Sequence, residues 1–317
     1  LACAQERCCE ELKDQCAHTP ISAATTIINS GAYCLANDIA GTITIAANNV
    51  TLNLNNYRIE GNVAIEIAEG SQNITISNGT VSNSSGPGII ANQGTNGLFI
   101  SNVLFVGCGA QADPFALHCA GTPGSPIFNC QITNSTFKNC LWGAEFSSAH
   151  NVNVSNCIVH QNFSEVSSSG GFSITGSSVS HLFENCTLFD IASTTNEAFA
   201  FLIEKGDDIV IQNCTVSSVT GTGKAAALEL VESKHVLVSD SNFIGINNFQ
   251  DLLNTTTAVG IEAISCRDCT IQNSLIQGIG NDGASSHLFG LLVQGGGSFA
   301  INELTVDDKI GRASCRE

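Results

Sequence analysis

The stretch IVIQNCTVSSV, from Ile209 to Val219, contains the pattern on which most of the chain is built. Apolar residues alternate with polar ones, an Asn interrupts them, and a second alternating stretch follows. The same pattern recurs along the chain, for example in ITISNGTV ending at Val81 and VLVSDSNF ending at Phe243. The central residues of these repeats, called pivots below, are Asn56, Asn78, Asn102, Asn134, Asn156, Asn185, Asn213, Asp240, Asn273 and Asn302.

Successive pivots are 22 to 33 residues apart, a period that indicates a solenoid or a propeller. The alternation predicts short strands with one buried face, and no helical spacing separates the repeats. This excludes a doubly wound fold, which would need crossover helices. We therefore predict an all-β, single-stranded, right-handed parallel β-helix of about ten coils, in which each strand pairs with the equivalent strand one turn later.

The recurrence of Asn at the pivots has a physical explanation. A sharp bend between two strands requires a left-handed backbone conformation, which Asn tolerates better than other residues with a side chain. Cys157, Cys186 and Cys214 each follow a pivot, so they should stack in successive coils as buried free thiols.

Composition restricts the classes of partner. The chain has 317 residues, of which 43% are apolar and 12% charged, with a formal net charge of −17. Such a surface repels nucleic acid and anionic lipid, and it disfavours a strongly acidic polysaccharide unless a cation such as calcium bridges the two. No apolar run reaches the roughly 18 residues of a membrane-spanning helix, so we expect no membrane span.

The two ends differ from the repeats. Residues 1–24 are predicted to form a Cys-rich helical cap, residues 25–309 the β-helix, and residues 310–317, IGRASCRE, resemble a translated sequencing adapter. Cysteines at 3, 8, 9, 16 and 34 favour disulfides and an oxidising compartment, with a metal site as the alternative. Leu1, Ala2 and Cys3 also fit the remnant of a lipoprotein cleavage box, with Cys3 as the lipid anchor.

A family resemblance enters at the start of the β-helix. The residues Tyr33-Cys34-Leu35, Asp38-Ile39 and Gly41, followed by Ile43, Ile45, Val50, Leu52 and Leu54, resemble the opening of bacterial right-handed β-helix proteins of the pectin-lyase-like superfamily. The repeats extend the resemblance to Val306. It implies the fold but no single activity, because the superfamily contains lyases, hydrolases, isomerases, tailspikes and adhesins.

The resemblance also implies that ligands lie along the exterior of the strand before each repeat. Alternation there points Glu66, Glu145, Glu229 and Glu262 outward. Glu229 and Glu262 belong to consecutive coils, so their carboxylates should be neighbours, about 4.8 Å apart along the sheet. They could extend into water, bind calcium with Glu232 nearby, or share a proton as a catalytic acid and base.

Two lysines in turns complete the predicted face. Lys205 and Lys234 lie near the acidic strands and, with Arg267, offer the only candidates for the base of a lyase. Asp207 and Asp208 resemble the paired aspartates of polygalacturonases, but they occupy a turn directly before a repeat, and the partner motifs are absent.

The resulting hypothesis is a secreted or cell-surface protein that binds polysaccharide or another glycan on its outer strand face without a catalytic motif. One alternative is a polysaccharide lyase or glycoside hydrolase that uses Glu229 and Glu262. Another is a structural spacer or adhesin. The sequence indicates no cofactor other than calcium, and it does not indicate an oligomeric state.

Overall fold

The computed structural model describes residues 18–82, 85–109, 113–248, 256–281, 286–307 and 314–316. Within these ranges all regular secondary structure is β-strand, linked by turns and bends. Accordingly, none of the described segments forms a helix with the length and hydropathy needed to cross a membrane. The predicted cap helix, with Cys3, Cys8, Cys9 and Cys16, lies outside the described residues, as do residues 310–313 and 317 of the tail.

The strands are, in chain order, β1 (Thr19–Ile21), β2 (Thr25–Ile27), β3 (Gly31–Leu35), β4 (Ile39–Ala40), β5 (Ile43–Ile45), β6 (Val50–Asn53), β7 (Arg58–Glu60), β8 (Ile65–Ile67), β9 (Gln72–Ser82), β10 (Ile89–Asn92), β11 (Asn96–Val106), β12 (Phe115–Ala120), β13 (Ile127–Thr133), β14 (Thr136–Lys138), β15 (Trp142–Ser147), β16 (Ala149–Ser155), β17 (Ile158–His160), β18 (Phe163–Ser164), β19 (Ser169–Thr175), β20 (Val179–Glu184), β21 (Thr187–Ser193), β22 (Ala198–Glu204), β23 (Asp207–Gln212), β24 (Thr215–Gly221), β25 (Lys224–Val231), β26 (Lys234–Ser239), β27 (Asn242–Asn248), β28 (Thr256–Ile264), β29 (Cys269–Gln277), β30 (Gly280–Asn281), β31 (Ser286–Gln294), β32 (Phe299–Asp307) and β33 (Ser314–Arg316).

These strands form two sheets, one of 21 strands and one of 12 strands. The named strands pair in parallel with the equivalent strand of the next turn, as β23 does with β26 and β25 with β28. Among the described residues, parallel pairing begins with β1, which pairs with β3. The strand β1 lies within residues 1–24, which were predicted to form the cap. The predicted parallel β-helix is confirmed, and its core fills the space between the sheets.

The opening stretch shows how the sequence determines one turn. Its two alternating halves form β23 and β24, and Ile209, Ile211, Val216 and Val219 are fully buried. Equivalent apolar residues of other turns align with Ile211, including Phe183 before it and Val238 after it. Each turn therefore adds one layer to a continuous apolar core. Burial of the inward apolar side chains in this core stabilises the fold.

Left-handed backbone conformations occur at the bends. Positive φ angles are found at the pivots Asn56, Asn78, Asn102, Asn134, Asn156, Asn185, Asn213, Asp240 and Asn273. In the last repeat the positive φ belongs to Glu303 rather than to Asn302. Stacked amides link neighbouring turns, since Asn102 donates to Asn78 over 3.3 Å.

The same conformation recurs at other corners that the pivot pattern did not predict, including Asp208, His235 and Asp268 in three consecutive turns. Asp208 and His235 are the second residues of β23 and β26, and Asp268 directly precedes β29. Asp207 and Asp208 therefore begin a strand and do not occupy the predicted turn before it. Polar residues at these corners are therefore explained in part by backbone geometry, because a β-branched side chain would be strained there.

The interior thiols match their prediction. Cys157, Cys186 and Cys214 are buried free cysteines, and each thiol donates to the carbonyl oxygen two residues before it, over 3.3 to 3.4 Å. Aromatic rings also pack in the core, where Phe105 stacks on Phe137 with ring centroids 4.7 Å apart.

Candidate functional site

The predicted acidic face is one column of outward residues along the 12-stranded sheet. Its members, in order along the solenoid, are Thr44, Glu66, Ile90, His118, Glu145, Ser173, Leu202, Glu229, Glu262 and Leu292. All four predicted glutamates are in this column, but only Glu229 and Glu262 are direct neighbours. Glu66 and Glu145 are therefore separate from the pair.

The space between Glu229 and Glu262 is occupied by a lysine that the sequence analysis did not identify. The Lys224 ammonium lies 2.7 Å from Glu229 Oε2 and 2.5 Å from Glu262 Oε2. All three side chains are largely buried, with 16%, 11% and 6% of their surface exposed, respectively. We call Lys224, Glu229 and Glu262 the Lys224 group.

Its electrostatics follow from burial and charge. Burial raises the pKa of Glu229, although the Lys224 charge partly offsets this. Burial also acts to lower the pKa of Lys224, but the two carboxylates outweigh it and hold that pKa above its ordinary value. At neutral pH Lys224 is therefore an ammonium, and it takes the position that a bridging calcium ion would need.

Hydrogen bonding in the Lys224 group is incomplete. The Oε2 atoms of Glu229 and Glu262 are buried and accept no hydrogen bond of regular geometry, so the short contacts with Lys224 act mainly as charge pairs. Glu262 Oε1 accepts a hydrogen bond of 3.2 Å from Gln294 Nε2. The two carboxylates are thus held in place while retaining unused acceptor capacity.

A cleft of about 310 Å³ opens beside this group. Glu262, Lys224 and Gln294 supply polar walls, and Phe289 with Leu292 supplies an apolar wall. The ring of His287 stacks on that of Phe289 at a centroid distance of 6.2 Å. A partly apolar cleft with a few fixed polar groups is typical of small-ligand sites.

A second charged group lies further along the same column. His118 Nδ1 is 2.9 Å from Asp113 Oδ2, and His118 Nε2 is 3.2 Å from Glu145 Oε2. Thr175 donates a hydrogen bond of 2.9 Å to the other oxygen of Glu145. We call Asp113, His118 and Glu145 the His118 group.

Opposing effects set the ionisation of the His118 group. Burial acts to lower the pKa of His118, but the hydrogen bond and charge of Asp113, with the charge of Glu145, raise it above the ordinary value. Burial raises the pKa of Glu145, partly opposed by His118. When His118 is protonated, its imidazolium therefore lies between the carboxyl groups of Asp113 and Glu145.

An apolar patch on the outer face connects the two groups. Trp142, Phe199 and Ala226 form a buried cluster separate from the main core, and Phe115 and Leu202 pack against it. Lys224 lies 5.8 Å from the centroid of Phe199. Gly170 is required beneath this patch, because a Cβ there would be 2.3 Å from the Trp142 ring. The alternation of the sequence did not predict this aromatic cluster.

The remaining predicted face residues pair elsewhere; Lys205 lies between β22 and β23, whereas Lys234 is the first residue of β26 and not a turn residue. Lys205 contacts Glu232 at 3.9 Å with both side chains mostly exposed, and Lys234 contacts Asp207 at 2.7 Å. Asp207, Asp208 and His235 bring ligand atoms within 4.8 Å of one another, which could suit a metal ion. Because Lys234 already pairs with Asp207, these are ordinary surface ion pairs.

Comparison with known proteins agrees with the fold. It is a right-handed parallel β-helix. Residues 128–308 match the family model described as "Right handed beta helix region", which covers more than half of the chain, so the chain belongs to this family. Comparison with curated protein sequences finds no match.

Solved structures share the architecture at low sequence identity. PfbA, a surface adhesin of Streptococcus pneumoniae, is 12% identical with a TM-score of 0.52, over 92% of this chain and 85% of PfbA. A second PfbA structure has a TM-score of 0.49 at 12% identity, over 91% and 89% of the two chains. The A-module of an Azotobacter vinelandii mannuronan C-5 epimerase is 10% identical with a TM-score of 0.27, over 94% and 90%.

Proposed function

We propose that this chain is a secreted or cell-surface protein that binds glycan on the outer face of its 12-stranded sheet. The observation that carries the proposal is the Lys224 group beside the 310 Å³ cleft. Glycan recognition needs fixed acceptors for hydroxyl groups together with an apolar surface for the sugar ring. Glu262 and Gln294 provide the first, and Phe289 provides the second.

The acceptors are preorganised. Lys224 restrains both carboxylates, and Gln294 restrains the second oxygen of Glu262, so little side-chain freedom would be lost on binding. A surface location is supported by the Cys-rich beginning of the chain and by the fold shared with PfbA, which is a surface adhesin. Lipid anchoring at Cys3 remains a prediction, since that residue is outside the described ranges.

Binding without turnover is favoured by the ion pairs. A catalytic acid and base must exchange protons with a substrate, whereas both Glu229 and Glu262 face the Lys224 ammonium. The second candidate, a polysaccharide lyase or glycoside hydrolase, is favoured by one observation. Burial raises the pKa of Glu229, as a general acid requires.

One experiment separates the two functions. Purified protein is tested for binding to a panel of polysaccharides, and the mixtures are assayed for new reducing ends and unsaturated ends. We expect binding without products, and affinity reduced about tenfold by Glu262→Gln, the effect of one lost hydrogen bond to a charged group. Glu229 does not line the cleft, so Glu229→Gln serves to test catalysis. Glu66→Gln is the matched control, since Glu66 is in the same column but away from the cleft.

The outcomes are distinct. Products that disappear in either Gln variant would establish the enzyme and reject simple binding. Absence of binding to every glycan would reject the proposed function and favour a spacer. Calcium is tested separately by thermal unfolding, and we expect millimolar calcium to leave the midpoint unchanged because Lys224 already lies between the carboxylates.

A further inference from the structure

The Lys224 group has an unbalanced charge. Two carboxylates share one ammonium, which leaves a formal charge of −1 in a largely buried place. Among the described residues, Lys224 is the only Lys, Arg or His that forms an ion pair with Glu229 or Glu262. An excess charge that is partly removed from water is costly unless a further cation approaches.

The position of the excess charge is also defined. Glu262 and Lys224 line the cleft, whereas Glu229 does not, and the Oε2 atoms of both glutamates lack a regular hydrogen bond. A ligand entering the cleft therefore meets the carboxylate of Glu262 rather than that of Glu229. The partly buried ring of Phe289 lies on another wall of the same cleft. A positive group attached to a sugar ring would satisfy both walls at once.

The rest of the outer column has the same sign. The His118 group places two carboxylates around one imidazole, so its formal charge is −1 when the imidazole is protonated and −2 when it is neutral. The whole chain carries −17. A ligand with carboxylates would be repelled along the entire column, whereas a ligand with amino groups would be attracted.

We infer that the cleft beside the Lys224 group selects glycans with free amino groups, that is, 2-amino sugars, over N-acetylated sugars, and that it rejects uronates. This inference rests on the proposed function and specifies its ligand class. The ammonium of the sugar pairs with Glu262, and the ring packs against Phe289. Recognition by charge also means that the preference for free amines weakens as salt concentration rises.

The test compares three tetrasaccharides of equal length by isothermal titration calorimetry at pH 6 and low salt. The probes are β-1,4-linked glucosamine, its fully N-acetylated form, and a uronate oligomer. We expect the free-amine form to bind about tenfold more tightly than the acetylated form, the effect of one partly screened charge pair, and the uronate not to bind. Glu262→Gln should bring the ratio of the first two affinities close to one.

The control is Glu66→Gln. It removes the same unit of charge from the same column, so it corrects for non-specific attraction of a cationic ligand to an acidic protein. The Glu66→Gln protein should keep the wild-type preference. Circular dichroism of both variants verifies that each is folded.

The possible results separate the inference from the function. Tight binding of acetylated or uronate oligomers, without a preference for amines, overturns the inference and leaves glycan binding intact. The inference is also overturned if the preference for the free amine persists in Glu262→Gln, or if it falls equally in Glu262→Gln and Glu66→Gln. In either case the group that selects the amine is not Glu262. Failure of all probes and of the wider glycan panel overturns both.

Discussion

The Lys224 group and the His118 group are two versions of one arrangement, a cation between two carboxylates on the outward column. They are separated by three strand spacings, about 14 Å. The Lys224 group is deeper, with its carboxylates 11% and 6% exposed, against 26% and 13% in the His118 group. The Lys224 ammonium is charged throughout the physiological pH range, whereas histidine is the side chain whose ordinary pKa is nearest to neutral pH.

This difference separates two roles. In the Lys224 group the ammonium is needed at every physiological pH to hold two buried carboxylates, so it should contribute strongly and constantly to stability. In the His118 group the carboxylates remain partly hydrated, and the strength of the contact depends on the protonation of one ring. Substitutions at the two groups should therefore differ both in size and in pH dependence.

The largest effect is expected for Lys224→Met. The substitution keeps the length of the side chain but leaves two buried carboxylates without their charge partner, which costs about 3–5 kcal/mol in unfolding free energy. Urea denaturation at pH 7 measures it. Lys205→Met is the matched control, because Lys205 is 67% exposed in its ion pair and should lose no more than about 1 kcal/mol. Equal losses in the two variants would contradict the structural role of Lys224.

A smaller effect is expected for His118→Gln. The glutamine keeps hydrogen-bonding capacity but no charge, and Asp113 and Glu145 can recover part of their hydration. We expect a loss of about 1–3 kcal/mol at pH 6, the cost of leaving a partly buried partner unsatisfied. The same denaturation series gives the value, and a loss as large as that of Lys224→Met would remove the distinction between the groups.

The sequence predicted the scaffold because two simple rules govern it. Period-two alternation identifies inward residues such as Ile209 and Ile211, and Asn at a bend identifies the turns, as at Asn213. Glu229 and Glu262 could be predicted to be neighbours because they occupy equivalent positions in the strands of two consecutive turns. These features depend only on local sequence and on the repeat, so they can be predicted without coordinates.

Lys224 and the aromatic patch could not be predicted because the alternation is interrupted. Ala227 and Leu228 are consecutive and both face the core, while Ala226 belongs to the outer cluster. If the residues of β25 alternated strictly, an outward Glu229 would require an inward Lys224. A similar interruption in β15 places Trp142 on the outer side of the sheet, in the cluster with Phe199. One signal was present, since among the described strands of the 12-stranded sheet Lys224 is the only lysine.

The two cations should differ in their contribution to the pH dependence of stability. The folded-state pKa of His118 is raised above 6.5, so its stabilisation is fully present below pH 6.5 and is lost as pH rises through the raised pKa. The raised pKa of Glu145 acts in the same direction from a lower pH. We expect the unfolding free energy to fall across this window, because the folded protein binds more protons there than the unfolded chain does.

Unfolding midpoints measured from pH 6 to pH 8.5 test this prediction. The dependence should be reduced in His118→Gln and kept in Lys205→Met, in which both charged groups are intact. Lys224 itself should add nothing to it, because its pKa is raised from an ordinary value that already lies above this range. An unchanged slope in His118→Gln would assign the pH dependence to other residues.

The smallest effect is expected at Glu66, the glutamate of the column that has no cation beside it. Its neighbours in the sheet are Thr44 and Ile90, and its Oε1 is 3.5 Å from Asn92 Nδ2, a weak hydrogen bond. Glu66→Gln should change the unfolding free energy by no more than about 0.5 kcal/mol at any pH between 6 and 8.5. Since Glu66 faces outward in the same sheet as Glu229 and Glu262, a larger loss would mean that an outward position alone, rather than the enclosed cation, makes these carboxylates important.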